Sequence, residues 1–296
     1  MADTPPMTFD PRLTPARGDV AAKRLAGEVD AKRFVEGRVH EVAEAHAPVR
    51  RAPSHDALLD TEALQGERVT VYDRDEEGWA WGQLEADGYV GFLPANALRL
   101  PGAPMTHKVS ALRTLIFPGP STKLAPIQSL PLGAQLAVAR IEPPFAITVS
   151  GGYAPARHLA PVDATEPDFV AVAERFLGAP YLWGGKTNFG VDCSGLLQLA
   201  LAACGIPCPR DSDLQEETIG EPIAPECIGS GRLRRGDLLF WQGHVAVARD
   251  ETTLIHANAY HMAVAIEPIS EAVARTRADG SGITSVRRLS PRSAPA

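Results

Sequence analysis

The sequence predicts an α+β domain preceded by two small all-β barrels, and three observations predict it. Short alternating apolar and polar runs, separated by turn clusters, fill roughly residues 39–100. The same plan recurs, more weakly, over residues 109–162. Beyond Pro161 the texture changes to helical spacing and then to a strand meander. The length of 296 residues suits two or three domains of about 100–150 residues each. Twenty-six Gly and 26 Pro imply many turns rather than long helices.

Residues 1–36 read as an arm, Pro-rich at first and helix-like over Val20–Val29. Residues 37–101 form the first β domain. Its runs include Arg68–Tyr72 and Trp79–Leu84, bounded by turns at Asp73–Gly78 and Ala86–Gly88. Residues 102–162 form the second. Leu58–Gly66 can be laid on Ala125–Gly133, displaced by 67 residues, and Gly88-Tyr89 on Gly152-Tyr153, displaced by 64. Residues 163–290 form the third domain, and 291–296 a flexible tail. Thr165, with Pro167 and Asp168 behind it, reads as a helix cap. Phe169, Val172, Ala173, Phe176 and Leu177 follow at helical spacing. A Gly-rich loop (Gly184, Gly185, Gly190) leads to a second helix over Cys193–Cys204, closed by Gly205. Strands are expected over 237–241, 244–248, 253–258 and 262–266.

Composition removes several function classes. A formal charge of -7 argues against a general nucleic-acid or anionic-membrane binder. No apolar run approaches the roughly 18–20 residues of a membrane span. The N-terminus has no basic region followed by an apolar one, so the expectation is a cytoplasmic protein with reduced thiols. Its four cysteines include no C-x-x-C pair, and its histidines show no metal-ligand spacing. Neither a cofactor nor a metal is expected.

The chemistry concentrates in Tyr181-Leu-Trp-Gly-Gly-Lys-Thr-Asn-Phe-Gly-Val-Asp-Cys-Ser-Gly195. Cys193 stands where a helix begins, and the helix start favours a thiolate. Glycines in front of it allow a tight loop, and nearby backbone amides can hold an oxyanion. Gly243-His244-Val245 supplies a base at a strand start. In a hairpin turning near Asp250-Glu251, residues 244 and 257 lie opposite, and His256 falls a diagonal step from His244. A Cys opening a helix is more often a buried small hydrophobe, and a strand His more often surface. It is the combination of Cys, loop and two His that points to nucleophilic catalysis.

The order Y-x-W-G-G…G-x-D-C-S-G, then G-D-L…G-H-V, then a strand His, resembles the NlpC-type peptidoglycan cysteine peptidases over about residues 165–270. The β domains, with Gly66-Glu67 and Gly88-Tyr-Val-Gly91, resemble bacterial SH3-like domains, the second divergently. The resemblance implies a papain-like catalytic fold. Cys193 matches the nucleophile, His244 the base, His256 the third triad member and Tyr181 the oxyanion tyrosine. Asp192, Ser194, Asp211 and Ser212 match substrate-contacting positions, although helix capping or a plain turn would also account for the aspartates and Ser212. Tyr89 fits a tyrosine that receives a free substrate amine, with Glu62, or the nearby Glu67, as the acid beside it. The implied reaction is hydrolysis of the γ-D-glutamyl–diamino acid bond in murein tri- or tetrapeptides with a free N-terminal L-Ala, as in cell-wall recycling. A non-catalytic wall-peptide binding module, or an amidase or acyltransferase of the same superfamily, is the alternative.

Overall fold

The computed structural model of the chain describes residues 9–290. The first residues of the expected arm and the expected tail lie outside them. The chain divides into two compact units, one up to Pro104 and one from Met105 onward. Within the described residues no helix is long and apolar enough to cross a membrane.

The first unit is built on a seven-stranded antiparallel sheet. In spatial order its strands are Leu59–Leu64, His46–Arg50, Val90–Pro94, Trp79–Leu84, Arg68–Arg74, Arg38–Val42 and Leu98–Arg99. Alternation decides which side chains turn inward: Val69 and Val71 are buried while Thr70 between them is partly exposed. These valines pack with Val42, Val49, Leu84 and Leu93. Gly91 lets two strands cross closely, because a Cβ there would stand 2.5 Å from Val49 Cγ1.

The helix-like stretch Val20–Val29 forms no α-helix. Ala21–Ala22 pairs in parallel with Phe34–Val35, and a single 3₁₀ turn covers Lys23–Leu25. Ten residues with Gly27 in the left-handed region are too few to sustain an isolated helix, which needs about 12–15. The apolar side chains find a sheet instead: Val20 packs on Trp81 and Val90.

In the second unit, residues 107–161 form three small sheets whose local geometry repeats that of the first unit. Gly66 N donates to Val42 O at 3.0 Å, and Gly133 N donates to Val109 O at 3.0 Å, with both glycines at positive φ. A Pro-led 3₁₀ turn (Ala95–Ala97, Ala156–His158) then feeds a last strand that pairs back onto the first in each copy. Residues 38–99 and 107–161 thus share a glycine turn, a 3₁₀ turn and a closing strand pair.

The rest of the second unit is an antiparallel six-stranded sheet. Its order is Glu221–Ile223, Ile283–Arg288, Leu238–Trp241, His244–Ala248, Thr253–Asn258 and Ala263–Pro268. Four helices accompany it among the described residues: α1 (Phe169–Glu174), α2 (Cys193–Ala203), α3 (Ser212–Thr218) and α4 (Ile269–Ala278). Helix α2 is buried from Cys193 to Leu201, and the Leu238–Trp241 strand is buried along its whole length. Such all-round apolar elements belong in an interior.

Helix α1 starts one turn later than expected. Its cap is Asp168, whose Oδ1 accepts from Val170 N at 2.9 Å and Ala171 N at 3.2 Å, and not Thr165. Pro167 disfavours helical geometry at Glu166, where a helix capped by Thr165 would begin. Helix α4 and the Ile283–Arg288 strand were not expected. Only Ile269 and Ala272 of α4 are buried, too faint an apolar stripe to read. The last strand enters the sheet between two others, fastened by Arg288 on the buried Asp237 at 2.6 Å.

The central hairpin also differs in register. Val247 faces Ile255 and Ala248 faces Leu254. Carried along the strands, His244 lies across from Asn258 and not from Ala257. His256 and His244 therefore share a face, because side chains alternate strictly along each strand.

Candidate active site

Cys193 is the first residue of α2, and Asp192 caps that helix through Oδ1, 2.7 Å from Gly195 N. The carboxylate also takes Gly184 N on Oδ2 at 2.8 Å, which draws the glycine loop over the helix start. Glycine is required there, since a Cβ on Gly195 would collide with Gly185 O. Arg210, only 1% exposed, completes this side. It reaches Asp192 Oδ1 at 2.9 Å and Oδ2 at 2.7 Å, Ser194 Oγ at 2.8 Å and Gly185 O at 3.3 Å. Asp211 precedes α3 and Ser212 opens it, and the Gln215 amide ties this turn to Ser194 O at 3.0 Å. The turn that carries Asp211 and Ser212 is thus anchored to the nucleophile's own helix.

Burial and the Asp192 carboxylate push the Cys193 thiol up to about 12. Burial first, and then the capping carboxylate, oppose the thiolate that the helix start favours. The amides of Val245 and Ser194 donate toward the sulfur and oppose that rise. Val245 follows His244, so the sulfur lies against the strand that carries the histidine. Tyr181 is half-buried nearby. Its hydroxyl is raised to about 12, by burial first and then by Cys193 and Asp192.

The two histidines are joined, with His244 Nε2 2.9 Å from His256 Nδ1. His256 Nε2 stands 2.7 Å from Glu267 Oε1, and Arg275 holds both Glu267 oxygens at 2.6 Å. Trp241 lies against His244, ring centroids 5.6 Å apart, and Tyr260 covers the Arg275 guanidinium at 4.2 Å. Burial pushes His244 down to about 3 and lowers His256 as well, while Glu267 is pulled down to about 2, the Arg275 and His256 contacts overcoming its burial. The site is a neutral thiol beside a neutral imidazole pair backed by an ionised carboxylate. His256, His261 and Glu267 bring one potential metal ligand atom each to within 4.8 Å of one another. Arg275 opposes a cation there, and both His256 nitrogens already have partners.

Sequence reasoning missed Arg210, Glu267 and Arg275. Glu267 comes to the histidine through the strand register: Ala265 pairs with His256, so Glu267 shares that face. Within the first unit, Tyr89 packs in the sheet core. Glu62 is buried with Oε1 2.7 Å from His46 Nδ1, a contact that raises the imidazole. Glu67 accepts from Leu64 N at 2.9 Å.

Residues 178–281 match the NlpC/P60 family, and residues 49–98 match the bacterial dipeptidyl-peptidase Sh3 domain. The chain carries an NlpC/P60 domain behind an SH3-type domain. A γ-D-glutamyl-L-lysine dipeptidyl-peptidase of Bacillus cereus is 29% identical over 244 residues, covering 72% of this chain and 71% of that protein. Dipeptidyl-peptidase 6 of Lysinibacillus sphaericus is 38% identical over 103 residues, covering 35% of this chain but only 36% of that protein. A solved NlpC/P60 family protein from Bacillus cereus superposes with a TM-score of 0.71 at 21% identity, over 86% of this chain and all of that one. That likeness shows the fold. Cys193, His244 and His256 all lie within residues 178–281, the part of the chain that matches the NlpC/P60 family.

Proposed function

We propose that the chain is a cysteine peptidase that cleaves the γ-D-glutamyl–diamino acid bond of peptidoglycan-derived peptides. The observation that carries this reading is the hydrogen-bonded line His244–His256–Glu267 on the strands beside a helix-start cysteine. Cys193 sulfur attacks the scissile carbonyl carbon as its proton passes to His244. The oxyanion is held by backbone amides and by the Tyr181 hydroxyl, which its raised pKa keeps as a donor. As the C–N bond breaks, His244 returns the proton to the leaving amine. Water then hydrolyses the thioester, giving a carboxylate and the free thiol. Ser194, Asp211 and Ser212 contribute to holding the substrate. Asp192 acts there indirectly, because Arg210 already occupies both its oxygens.

The name of the Bacillus cereus relative describes release of a dipeptide, a reaction that begins from a substrate amino end. Preference for a free N-terminal L-Ala, and action in the cytoplasm on released murein peptides, belong to the same proposal. The test is hydrolysis of L-Ala-γ-D-Glu-L-Lys and of its diaminopimelate analogue, each with and without N-acetylation. Rapid cleavage of the free peptides and failure of the acetylated ones supports the reading. Equal rates on both forms remove the amine preference, and no cleavage of any removes the activity. Tyr89→Ala and Glu62→Gln test whether the first unit contributes to that preference.

A further inference from the structure

We propose that Glu267, clamped by Arg275, is a positioning residue that fixes the proton pattern of the two histidines, so that His244 offers a bare Nδ1 to the Cys193 thiol. This rests on the thiol mechanism above. The hydrogen bonds along this line fix each proton in turn. Both Glu267 oxygens are held at 2.6 Å by Arg275, and the carboxyl is pulled well below its usual range. An ionised carboxylate only accepts, so the proton of the 2.7 Å contact sits on His256 Nε2. A neutral imidazole has one N–H, which leaves His256 Nδ1 as an acceptor. Its 2.9 Å partner, His244 Nε2, must then carry the proton, and His244 Nδ1 is left bare. Burial keeps both rings neutral.

Arg275 has a second part in this. A lone carboxylate would favour an imidazolium at His256. Protonated on both nitrogens, His256 could only donate to His244 Nε2, which would move the His244 proton to Nδ1 and block the base. The Arg275 charge disfavours that state at both histidines. The other groups that bear on this line are His261 in the turn after the His256 strand, Tyr260 on the guanidinium, and Asp279 beyond Arg275. His261 also opposes a charge on His256. The carboxylate thus gives direction to the hydrogen bonds, while burial and the guanidinium oppose its pull on the proton.

The experiment uses the full chain and two readouts: ¹⁵N shifts of the histidine ring nitrogens without substrate, and the pH profile of kcat/KM on L-Ala-γ-D-Glu-L-Lys. Wild type should show His244 and His256 both protonated on Nε2. Glu267→Gln, whose amide oxygen still accepts, should keep that pattern and stay within about 10-fold of wild-type rate. Glu267→Ala should mix the ring forms and lower kcat by about 10²-fold with little change in KM. Arg275→Met should move the acid limb of kcat/KM to higher pH. Wild-type rings protonated on Nδ1, an unchanged pattern in Glu267→Ala, or an unmoved acid limb in Arg275→Met would each overturn the proposal. Should Glu267→Ala not fold, the wild-type pattern and Arg275→Met decide. Absence of any wild-type turnover would refute the peptidase reading, and the ¹⁵N pattern would still decide this one.

Discussion

Each half of the candidate site is backed by one arginine–carboxylate pair, and the two pairs do different work. Behind Cys193 stands Asp192–Arg210, with side chains 10% and 1% exposed. Behind His256 stands Glu267–Arg275, at 6% and 21%. The first pair is spent on shape: it caps α2, holds the Gly184 loop and fastens Ser194. The second touches a reacting imidazole chain and sets its protons. The first pair bonds to the scaffold of the helix start, where a satisfied buried network rigidifies, whereas the second bonds to a histidine ring. The nucleophile side should therefore fail by unfolding, and the base side by losing rate.

The largest effects separate the reacting atoms from their supports. Cys193→Ala should abolish turnover with the fold intact, and Cys204→Ala or Cys227→Ala should retain most activity. His244→Ala should cost several orders of magnitude in kcat. His256→Asn should retain partial rate, because an amide can still orient the neighbouring ring. Equal, complete losses from His244→Ala and His256→Asn would dissolve the division of labour between base and orienter.

Next come the pairs themselves. Arg210→Met strips a buried carboxylate of its partner, a change that typically costs about 3–5 kcal/mol. At about 2–4 °C per kcal/mol in a domain of 150–250 residues, the melting temperature should fall by roughly 6–20 °C. Arg275→Met removes a guanidinium that is 21% exposed and leaves Glu267 its contact with His256, so it should cost less stability. A calorimetric comparison in which Arg275→Met melts lower than Arg210→Met would reverse the assignment.

What was legible in the sequence follows the same divide. Helix α2 and the strands His244–Ala248 and Thr253–Asn258 stand where spacing put them, because a continuous buried face leaves a periodic trace. The cap of α1 was misplaced because Thr165, Asp168 and Pro167 all carry start signals, and only φ and ψ distinguish them. Arg210 was invisible because arginine is almost never fully buried unless paired, and its partner lies 18 residues away in sequence. Glu267 needed the His256–Ala265 register, which is set by strand pairing and not by composition. Local periodicity is written along the chain, but polar partnerships are written across it.

The two sides should also titrate at opposite ends of the pH scale. His244 is lowered from 6.5 to about 3 and Glu267 from 4.5 to about 2. Between those limits the unfolded chain binds more protons than the native one, so stability falls as pH falls. Cys193 is raised from 9.0 to about 12, so above pH 9 the native state holds the extra proton and stability falls as pH rises. Each such proton contributes a slope of up to about 1.4 kcal/mol per pH unit. In a denaturant-midpoint profile, Cys193→Ala should lessen the alkaline slope, which the raised Tyr181 hydroxyl also carries, and leave the acid limb unchanged. His244→Ala should do the reverse. Loss of the acid limb in Cys193→Ala would couple the two sides in a way the comparison forbids.

The smallest expected effect calibrates the comparison, through an ion pair outside the site. Arg235 reaches Asp168 at 2.9 Å and Glu174 at 3.2 Å, with the Arg235 and Asp168 side chains 39% and 40% exposed. Solvent screens such a pair, and exposed pairs contribute about 0–1 kcal/mol. Asp168 has a second task, however, as the α1 cap, and losing a cap typically costs about 1 kcal/mol. Arg235→Met removes only the pair and should move stability by less than about 1 kcal/mol, with turnover unchanged. Asp168→Ala removes pair and cap together and should cost more, while Asp168→Asn keeps the cap oxygen and should fall between them. Thr165→Ala should be silent. If Arg235→Met cost as much as Arg210→Met, exposure would not be what separates the pairs, and the contrast between the two sides of the site would need another cause.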